Sequence, residues 1–235
     1  MPPSALRRAV EEVAASAEPA ARILTPLARV SSLAVVPGAY NPPTRAHVAL
    51  AEAARARGFD AALFSIGTIT IDKPAGGLAI TERLQLLLDV AASGEGLGVV
   101  LHNRGLYSEQ AEALRRALPD LGGLAFVVGM DKIEQIFDAR YYEDFERSLA
   151  ELFDRARLLV AARGDLDRAA LERRLAPHPA HQFADRIEWL DLDPCWRPLS
   201  ATAVRERLAR GDIPTDWLPE AVERYLRSRG PIFTA

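Results

Sequence analysis

The chain has 235 residues, enough for one α/β domain with a small appendage. Hydrophobic residues make up 49% of it, which excludes a disordered chain, and its net charge of -3 provides no general attraction to nucleic acid or to an anionic membrane. Cys195 is the only cysteine and no apolar run reaches about 18 residues, so a disulfide framework, a Cys-rich zinc site and a transmembrane helix are excluded, and we expect a cytoplasmic protein.

Residues 1–30 are predicted to be a helical extension of a domain that spans 31–235. An Ala-rich helix is expected from about Ser4 to Ala17, ending near Pro19. Acidic residues stand where a signal peptide needs its apolar stretch, so we expect a packing helix rather than a targeting segment. The same helix is a candidate for contacts between copies of the chain in a homo-oligomer.

From residue 33 onward, short apolar runs alternate with segments of helical periodicity. This alternation is typical of buried strands joined by right-handed βαβ units. We therefore predict an α/β fold: a Rossmann-like open, mostly parallel sheet with helices on both faces and a small helical C-terminal lobe at about 198–235. The predicted strands are 33–36, 61–66, 99–101, 124–128, 158–162 and 187–190, and the predicted helices include 44–57, 81–92 (with Thr81 as its cap), 108–117, 200–209 and 219–228.

The turn between the first predicted strand and its helix has the composition of an anion site. Gly38 lacks a side chain, so the backbone there can approach a phosphate closely. Pro42 and Pro43 hold the turn extended and delay the start of the helix. Thr44 and His47 then lie three residues apart, on one face of the helix start, where backbone amides also favour an anion.

The whole segment from Gly38 to His47 resembles the GxFNPxTxxH or GxFxPxHxGH signature of the nucleotidylyltransferase superfamily. Within that superfamily it is most similar to the nicotinate or nicotinamide mononucleotide adenylyltransferases. Tyr40 stands at the aromatic position, Thr44 and His47 match the (H/T)xGH pair, and Ala46 replaces the usual glycine.

A second segment, Leu199 to Arg205, is similar to the ISSTxxR signature of the same proteins. Ser200 or Thr202 can cap the helix that starts there, and Arg205 offers a planar fork for a phosphate. Ala201 replaces one of the signature serines, which removes one hydroxyl contact.

Three shorter matches lie between the two signatures. The first match is to the Lys-Pro and helix-starting Arg elements of these proteins, which Asp72-Lys73-Pro74 and the following Arg83 resemble. The second is to the Gly-x-Asp that holds the ATP ribose, which Gly129-Met130-Asp131 resembles. The third is to the Arg near the adenine, which Arg163 resembles. The resemblance thus implies catalytic roles for His47, Lys73 and Arg205; ATP contacts from Gly38, Ala39, Tyr40, Thr44, His47, Gly129, Asp131, Arg163, Ser200, Thr202 and Arg205; and acceptor contacts from Asn41, Lys73, Arg83 and Tyr107.

The chemistry implied by the resemblance is adenylyl transfer from ATP to a phosphorylated small molecule. The acceptor phosphate attacks the α-phosphorus, pyrophosphate leaves, and His47 donates to the α-phosphate or the bridging oxygen while Lys73 and Arg205 share the charge. Mg²⁺ is expected as a cofactor held mainly by the triphosphate and water, because this ion dehydrates reluctantly. No nucleic-acid or membrane partner is expected.

The acceptor itself is left open by the sequence. The nicotinate enzymes carry an SYTxxT-like stretch and a later Trp, and the nearest counterparts here are Tyr107, Tyr141 and Tyr142, for each of which core packing is an equal alternative. The acid or the amide mononucleotide remains open, as does another acceptor, as in pantetheine-phosphate adenylyl or cytidylyl transfer. A catalytically silent nucleotide-binding protein is the third hypothesis.

Overall fold

The helices and strands of the chain follow the predicted order. The computed structural model describes residues 1–27, 29–68, 77–161, 168–176, 179–196, 198–230 and 233. Its strands are β1 (Ala21–Ile23), β2 (Ser32–Pro37), β3 (Ala61–Gly67), β4 (Leu97–His102), β5 (Gly123–Gly129), β6 (Arg157–Ala161) and β7 (Ile187–Leu190). Its α-helices are α1 (Pro3–Ala14), α2 (Arg45–Ala56), α3 (Ile80–Ala91), α4 (Tyr107–Ala117), α5 (Met130–Ile136), α6 (Phe145–Arg155), α7 (Arg168–Leu175), α8 (Ala201–Ala209) and α9 (Glu220–Arg229).

The described strands form one sheet in the order β1-β4-β3-β2-β5-β6-β7. β1 is antiparallel to β4, and the other pairs are parallel. The chain moves from β2 outward through β3 to β4, and then from β5 on the other side of β2 outward to β7. The predicted Rossmann-like, mostly parallel α/β sheet is confirmed.

Two apolar layers cover the two faces of the sheet, as the alternation of side chains along a strand requires. In β2, Ala34 and Val36 pack with α1, α2, α3, α8 and α9 on one face. Leu33 and Val35 pack with α4, α5, α6 and α7 on the other face. Because both faces are covered, the strands read as continuous apolar runs, which is why they are predictable from the sequence.

The N-terminal segment contributes a strand as well as a helix. α1 buries Leu6, Ala9 and Val13, and Leu6 and Val13 belong to the apolar layer that contains α2 and α3. β1 then extends the sheet beside β4, whereas the sequence predicted only a helical extension for residues 1–30. Three residues, one of them Arg22, are too few for a periodic strand pattern.

The start of α3 differs from the prediction that Thr81 caps it. The helix begins at Ile80, and the residue before it is Ala79. Glu82, the third residue of the helix, reaches back and accepts a hydrogen bond from the Ala79 backbone N–H at 2.8 Å, which is the half of a capping box that the third helical residue supplies.

The C-terminal lobe is helical, as predicted. It consists of α8, a short 3-10 helix (Thr215–Trp217) and α9. Among all helices of the described part of the chain, none combines the length and apolar character that a membrane crossing requires.

Candidate functional site

The first signature segment lies where the direction of the chain across the sheet reverses. Residues 38–44 follow β2, and Gly129 ends the neighbouring strand β5. The carboxyl ends of these two strands bound the crevice in which open parallel sheets bind their ligands. No described atom lies within 4 Å of the position that a Gly129 Cβ would occupy, so this side of the crevice is open.

A buried tyrosine shapes the loop after β2. Tyr40 has a positive φ of 50°, its side chain is 1% exposed, and its hydroxyl donates to the Val36 carbonyl. Burial raises the pKa of this phenol well above its usual value, with a smaller contribution from Tyr107 that acts in the same direction. A Cβ on Gly38 would lie 2.9 Å from Cζ of Tyr40, so Gly38 makes room for the tyrosine ring. The signature aromatic residue therefore supports the loop from within the core.

Thr44 and His47 form one unit at the start of α2. Thr44 is buried and is the N-cap of the helix, which begins at Arg45. Its backbone N–H donates to Nδ1 of His47 at 3.0 Å, and its hydroxyl lies 2.8 Å from the same nitrogen. An N–H group can only donate, so Nδ1 is the acceptor and the proton of the neutral imidazole sits on Nε2. The Tyr40 ring packs against the imidazole at 4.8 Å between centroids, which fixes its orientation. His47 is thus held as an Nε2–H donor.

Three hydrogen bonds hold the backbone of the loop from different elements. Arg83 of α3 donates through Nη1 to the Ala39 carbonyl at 2.8 Å, and its own pKa is lowered because its guanidinium is partly desolvated. The Leu78 backbone N–H donates to Oδ1 of Asn41 at 3.0 Å. Arg205 of α8 donates through Nη1 to the Asn41 carbonyl at 3.1 Å. Ala39 and Asn41 therefore present their oxygens to protein partners.

The two signature segments meet at this loop. Ser200 caps α8 by accepting from the Ala203 N–H at 3.1 Å, and Arg205 also donates to Oγ1 of the exposed Thr202 at 3.0 Å. Arg45, at the start of α2, donates through Nε to the Leu218 carbonyl at 2.9 Å. The C-terminal lobe is thereby joined to the first signature at Asn41 and at Arg45.

Other predicted site residues lie elsewhere or outside the description. Lys73 and Arg163 fall outside the described residues. Asp131 stands in α5, two residues after Gly129, and its side chain also lies outside the described part of the structure.

Tyr107, a predicted acceptor contact, begins α4 on the opposite face of the sheet from α2. Its ring packs edge-on against Phe126 at 5.1 Å between centroids. Burial raises the pKa of its phenol above the usual value, and nearby Tyr142, whose own pKa burial raises to about 12, adds to the shift. The neighbouring Tyr141 is 40% exposed and presents the more accessible ring.

Two contacts of the site were not predicted from the sequence. Besides Arg45, Glu82 joins the C-terminal lobe to α3: its carboxylate accepts from the Tyr225 hydroxyl at 2.5 Å and pairs with Arg229 at 3.2 Å. The hydrogen bond from Tyr225 is the largest of the effects that lower the pKa of Glu82. No local pattern signals such residues, because their partners are far away in the sequence.

Comparison with known proteins shows which fold the chain has. No protein-family model matches the chain, and no curated protein matches it. The solved structure of Plasmodium falciparum nicotinic acid mononucleotide adenylyltransferase, complexed with APC, is similar with a TM-score of 0.60 at 13% identity, and the match covers 87% of this chain and 98% of that chain. A Vibrio parahaemolyticus protein assigned as a nicotinate-nucleotide adenylyltransferase matches with a TM-score of 0.50 at 14% identity, over 84% of this chain and 99% of that chain. At such identities the likeness shows that the chain shares the fold of these proteins.

Proposed function

We propose that the protein is a nucleotidyltransferase that transfers AMP from ATP to nicotinate or nicotinamide mononucleotide and releases pyrophosphate, a reaction of NAD biosynthesis. The observation that carries this proposal is the meeting of the two signature segments, through Arg205 and the Asn41 carbonyl, at the reversal point of the sheet. The fold shared with the Plasmodium falciparum enzyme, which was solved with the ATP analogue APC, agrees with it.

The described donors suit a triphosphate. α2 begins directly after the loop that follows β2, and we propose that its first amides and the Nε2–H of His47 bind the phosphates there; the half-buried Arg83 contacts the same loop at the Ala39 carbonyl. An anion at a helix start is stabilised by the helix dipole and by amides that have no helical partner. Lys73 and Arg163 are proposed as further contacts to the phosphates and to the adenine.

In the proposed reaction, an oxygen of the acceptor phosphate forms a bond to the α-phosphorus. The bond from that phosphorus to the bridging oxygen breaks, and pyrophosphate leaves with the electron pair. His47 donates its Nε2–H to the α-phosphate as charge moves, and Arg205 neutralises the leaving group. The protein contributes alignment and charge stabilisation, and no covalent enzyme intermediate is formed.

The proposed cofactor is Mg²⁺ brought with the nucleotide. Within the described ranges, no group of three or more His, Cys, Asp or Glu side chains is placed to hold a metal ion. We propose that triphosphate oxygens and water are its main ligands, because this ion gives up its water reluctantly. When bound, it would neutralise phosphate charge.

The acceptor is proposed to lie toward α4 and the 3-10 helix Ala139–Tyr141. Tyr107 begins the helix that follows the carboxyl end of β4, and Tyr141 is exposed, so we propose these two rings as the faces that a planar acceptor would contact. Stacking on an aromatic ring would select a pyridine mononucleotide over an acyclic phosphate.

A pyrophosphate-release assay tests the proposal. ATP and Mg²⁺ are supplied with nicotinate mononucleotide, with nicotinamide mononucleotide or with phosphopantetheine in separate reactions. Release with either mononucleotide is expected. Release with phosphopantetheine alone would overturn the choice of acceptor, and absence of release with every acceptor, despite ATP binding, would favour a catalytically silent protein.

A further inference from the structure

Asn103, directly after β4, links the N-terminal segment to the rest of the chain. Asn103 is 1% exposed, and its side-chain amide forms hydrogen bonds with the backbone of residues 16–20. Oδ1 accepts from the Ala20 N–H at 2.8 Å, while Nδ2 donates to the carbonyls of Ser16 at 2.9 Å and Glu18 at 3.0 Å. A buried amide that satisfies three backbone groups is costly to replace, because each of those groups would be left without its partner.

These contacts lie at the carboxyl edge of the sheet, the edge that carries the loop after β2. Because β1 is antiparallel to β4 and Ala21 pairs with His102, residues 15–20 stand beyond the carboxyl end of β4. The carboxyl ends of β2 and β3 lie at the same edge, since those strands are parallel to β4. The N-terminal segment therefore stands at the carboxyl edge of the sheet beside the start of α4, with β3 between β4 and the crevice strand β2.

The loop 103–106 is held between this segment and α4. Arg104 donates to the Ala17 carbonyl and pairs with Glu109 at 3.2 Å. From the other side, Nε2 of Gln110 donates to the carbonyls of Arg104 at 3.1 Å and Gly105 at 3.2 Å. The loop leads directly into Tyr107, so its position sets the start of α4 and the place of the Tyr107 ring.

We propose that residues 15–20 are a specificity-determining part of the acceptor side, and that they act through Asn103 and Arg104 as positioning residues for Tyr107. This inference rests on the proposed function only for the existence of an acceptor on that side. It gives the N-terminal segment a role within one copy of the chain, independent of assembly.

The test uses the full-length protein with Asn103→Ala and, separately, Arg104→Ala. The Arg104 side chain is 24% exposed whereas Asn103 is 1% exposed, so the second variant is the safer one for folding. Glu12→Gln is the matched control, because it removes the ion pair between α1 and Arg22 in the same segment but does not touch loop 103–106. We expect KM for the acceptor to rise ~10-fold in both loop variants, with KM for ATP and kcat within about twofold of the wild type, because a misplaced binding group weakens the binding of its own substrate.

The outcomes separate this inference from the proposed function. An unchanged acceptor KM in both loop variants, or an equal rise in the KM for ATP, would overturn the inference while an active wild type upholds adenylyl transfer. A wild type that is inactive with every mononucleotide would overturn the function instead. Hydrogen exchange gives a second measurement that needs no substrate. The backbone amide of Gln110, which donates to the Leu106 carbonyl at 3.0 Å, should exchange faster in Asn103→Ala and Arg104→Ala but not in Glu12→Gln. Equal protection of this amide in all three variants would contradict the proposed link between loop 103–106 and the start of α4.

Discussion

Replacement of His102 by Gln should change how the stability of the protein depends on pH. His102 ends β4 and is 7% exposed, and its Nδ1 has no hydrogen-bond partner in the described part of the chain. Burial lowers the pKa of its imidazole from the usual 6.5 to about 4, although a hydrogen bond with the Arg104 backbone acts in the opposite direction. The folded protein therefore resists protonation of this side chain.

The sign and size of the effect follow from the two pKa values. The unfolded chain takes up a proton as the pH falls through 6.5, whereas the folded chain does so only near pH 4. The free energy of unfolding is therefore unaffected by His102 above pH 7, falls by about 2 kcal/mol at pH 5, and has lost about 3 kcal/mol below pH 4.

Urea unfolding at several pH values between 4 and 7.5 measures this loss. Relative to His102→Gln, the wild type should lose about 2 kcal/mol more between pH 7 and pH 5. His181→Gln, at an exposed position, is the matched control for the replacement of a histidine by glutamine. Parallel pH dependences for the wild type and His102→Gln would refute the buried, neutral state of His102.

Two further predictions concern the site. Arg205→Lys keeps the positive charge but loses the planar guanidinium that reaches the first signature, so KM for ATP should rise ~10-fold in steady-state kinetics. Arg207→Lys, on the same helix, is the control and should not change KM for ATP. Equal KM values for the two variants would contradict a specific role of Arg205. Gly38→Ala forces a Cβ against the Tyr40 ring and should lower the free energy of unfolding in urea by about 1–3 kcal/mol. Gly129→Ala has open space around the new methyl group and should lower the free energy of unfolding by under ~0.5 kcal/mol. The same methyl group should raise KM for ATP. Equal stabilities for the two variants, or an unchanged KM in Gly129→Ala, would count against this assignment of the glycines.

The sheet was predictable because its physics is local. Strands covered on both faces leave continuous apolar runs, such as Leu33 to Val36, and the prediction of these strands is confirmed. β1 left no such signal, since a three-residue edge strand containing Arg22 depends on β4 for its existence. The expected cap at Thr81 was wrong because the helix begins at Ile80, where Glu82 in the first turn accepts from the Ala79 N–H and no capping hydroxyl marks the start of the helix.

The candidate site also contains contacts that the sequence predicts and contacts that it does not. Thr44 and His47 are three residues apart, so their pairing at the start of α2 follows from helix geometry and is found in the structure. The hydrogen bond between Arg205 and Asn41 spans 164 positions, and that between Arg45 and Leu218 spans 173. The sequence indicated a role for Arg205 through the second signature, but not its hydrogen bond to Asn41. It gave no indication of a role for Arg45, because the local sequence around an arginine does not show which distant carbonyl the side chain will bind.

Transfer of label from ATP tests the central claim most directly. ATP labelled in the α-phosphate is mixed with Mg²⁺ and each pyridine mononucleotide, and the products are separated for the wild type and for His47→Ala. We expect label in a dinucleotide with the wild type, and formation slowed by ~10²-fold or more in His47→Ala, the scale expected for loss of one charge-stabilising donor. Label that appears only in AMP or ADP, or in the dinucleotide at the same rate in His47→Ala, would contradict it.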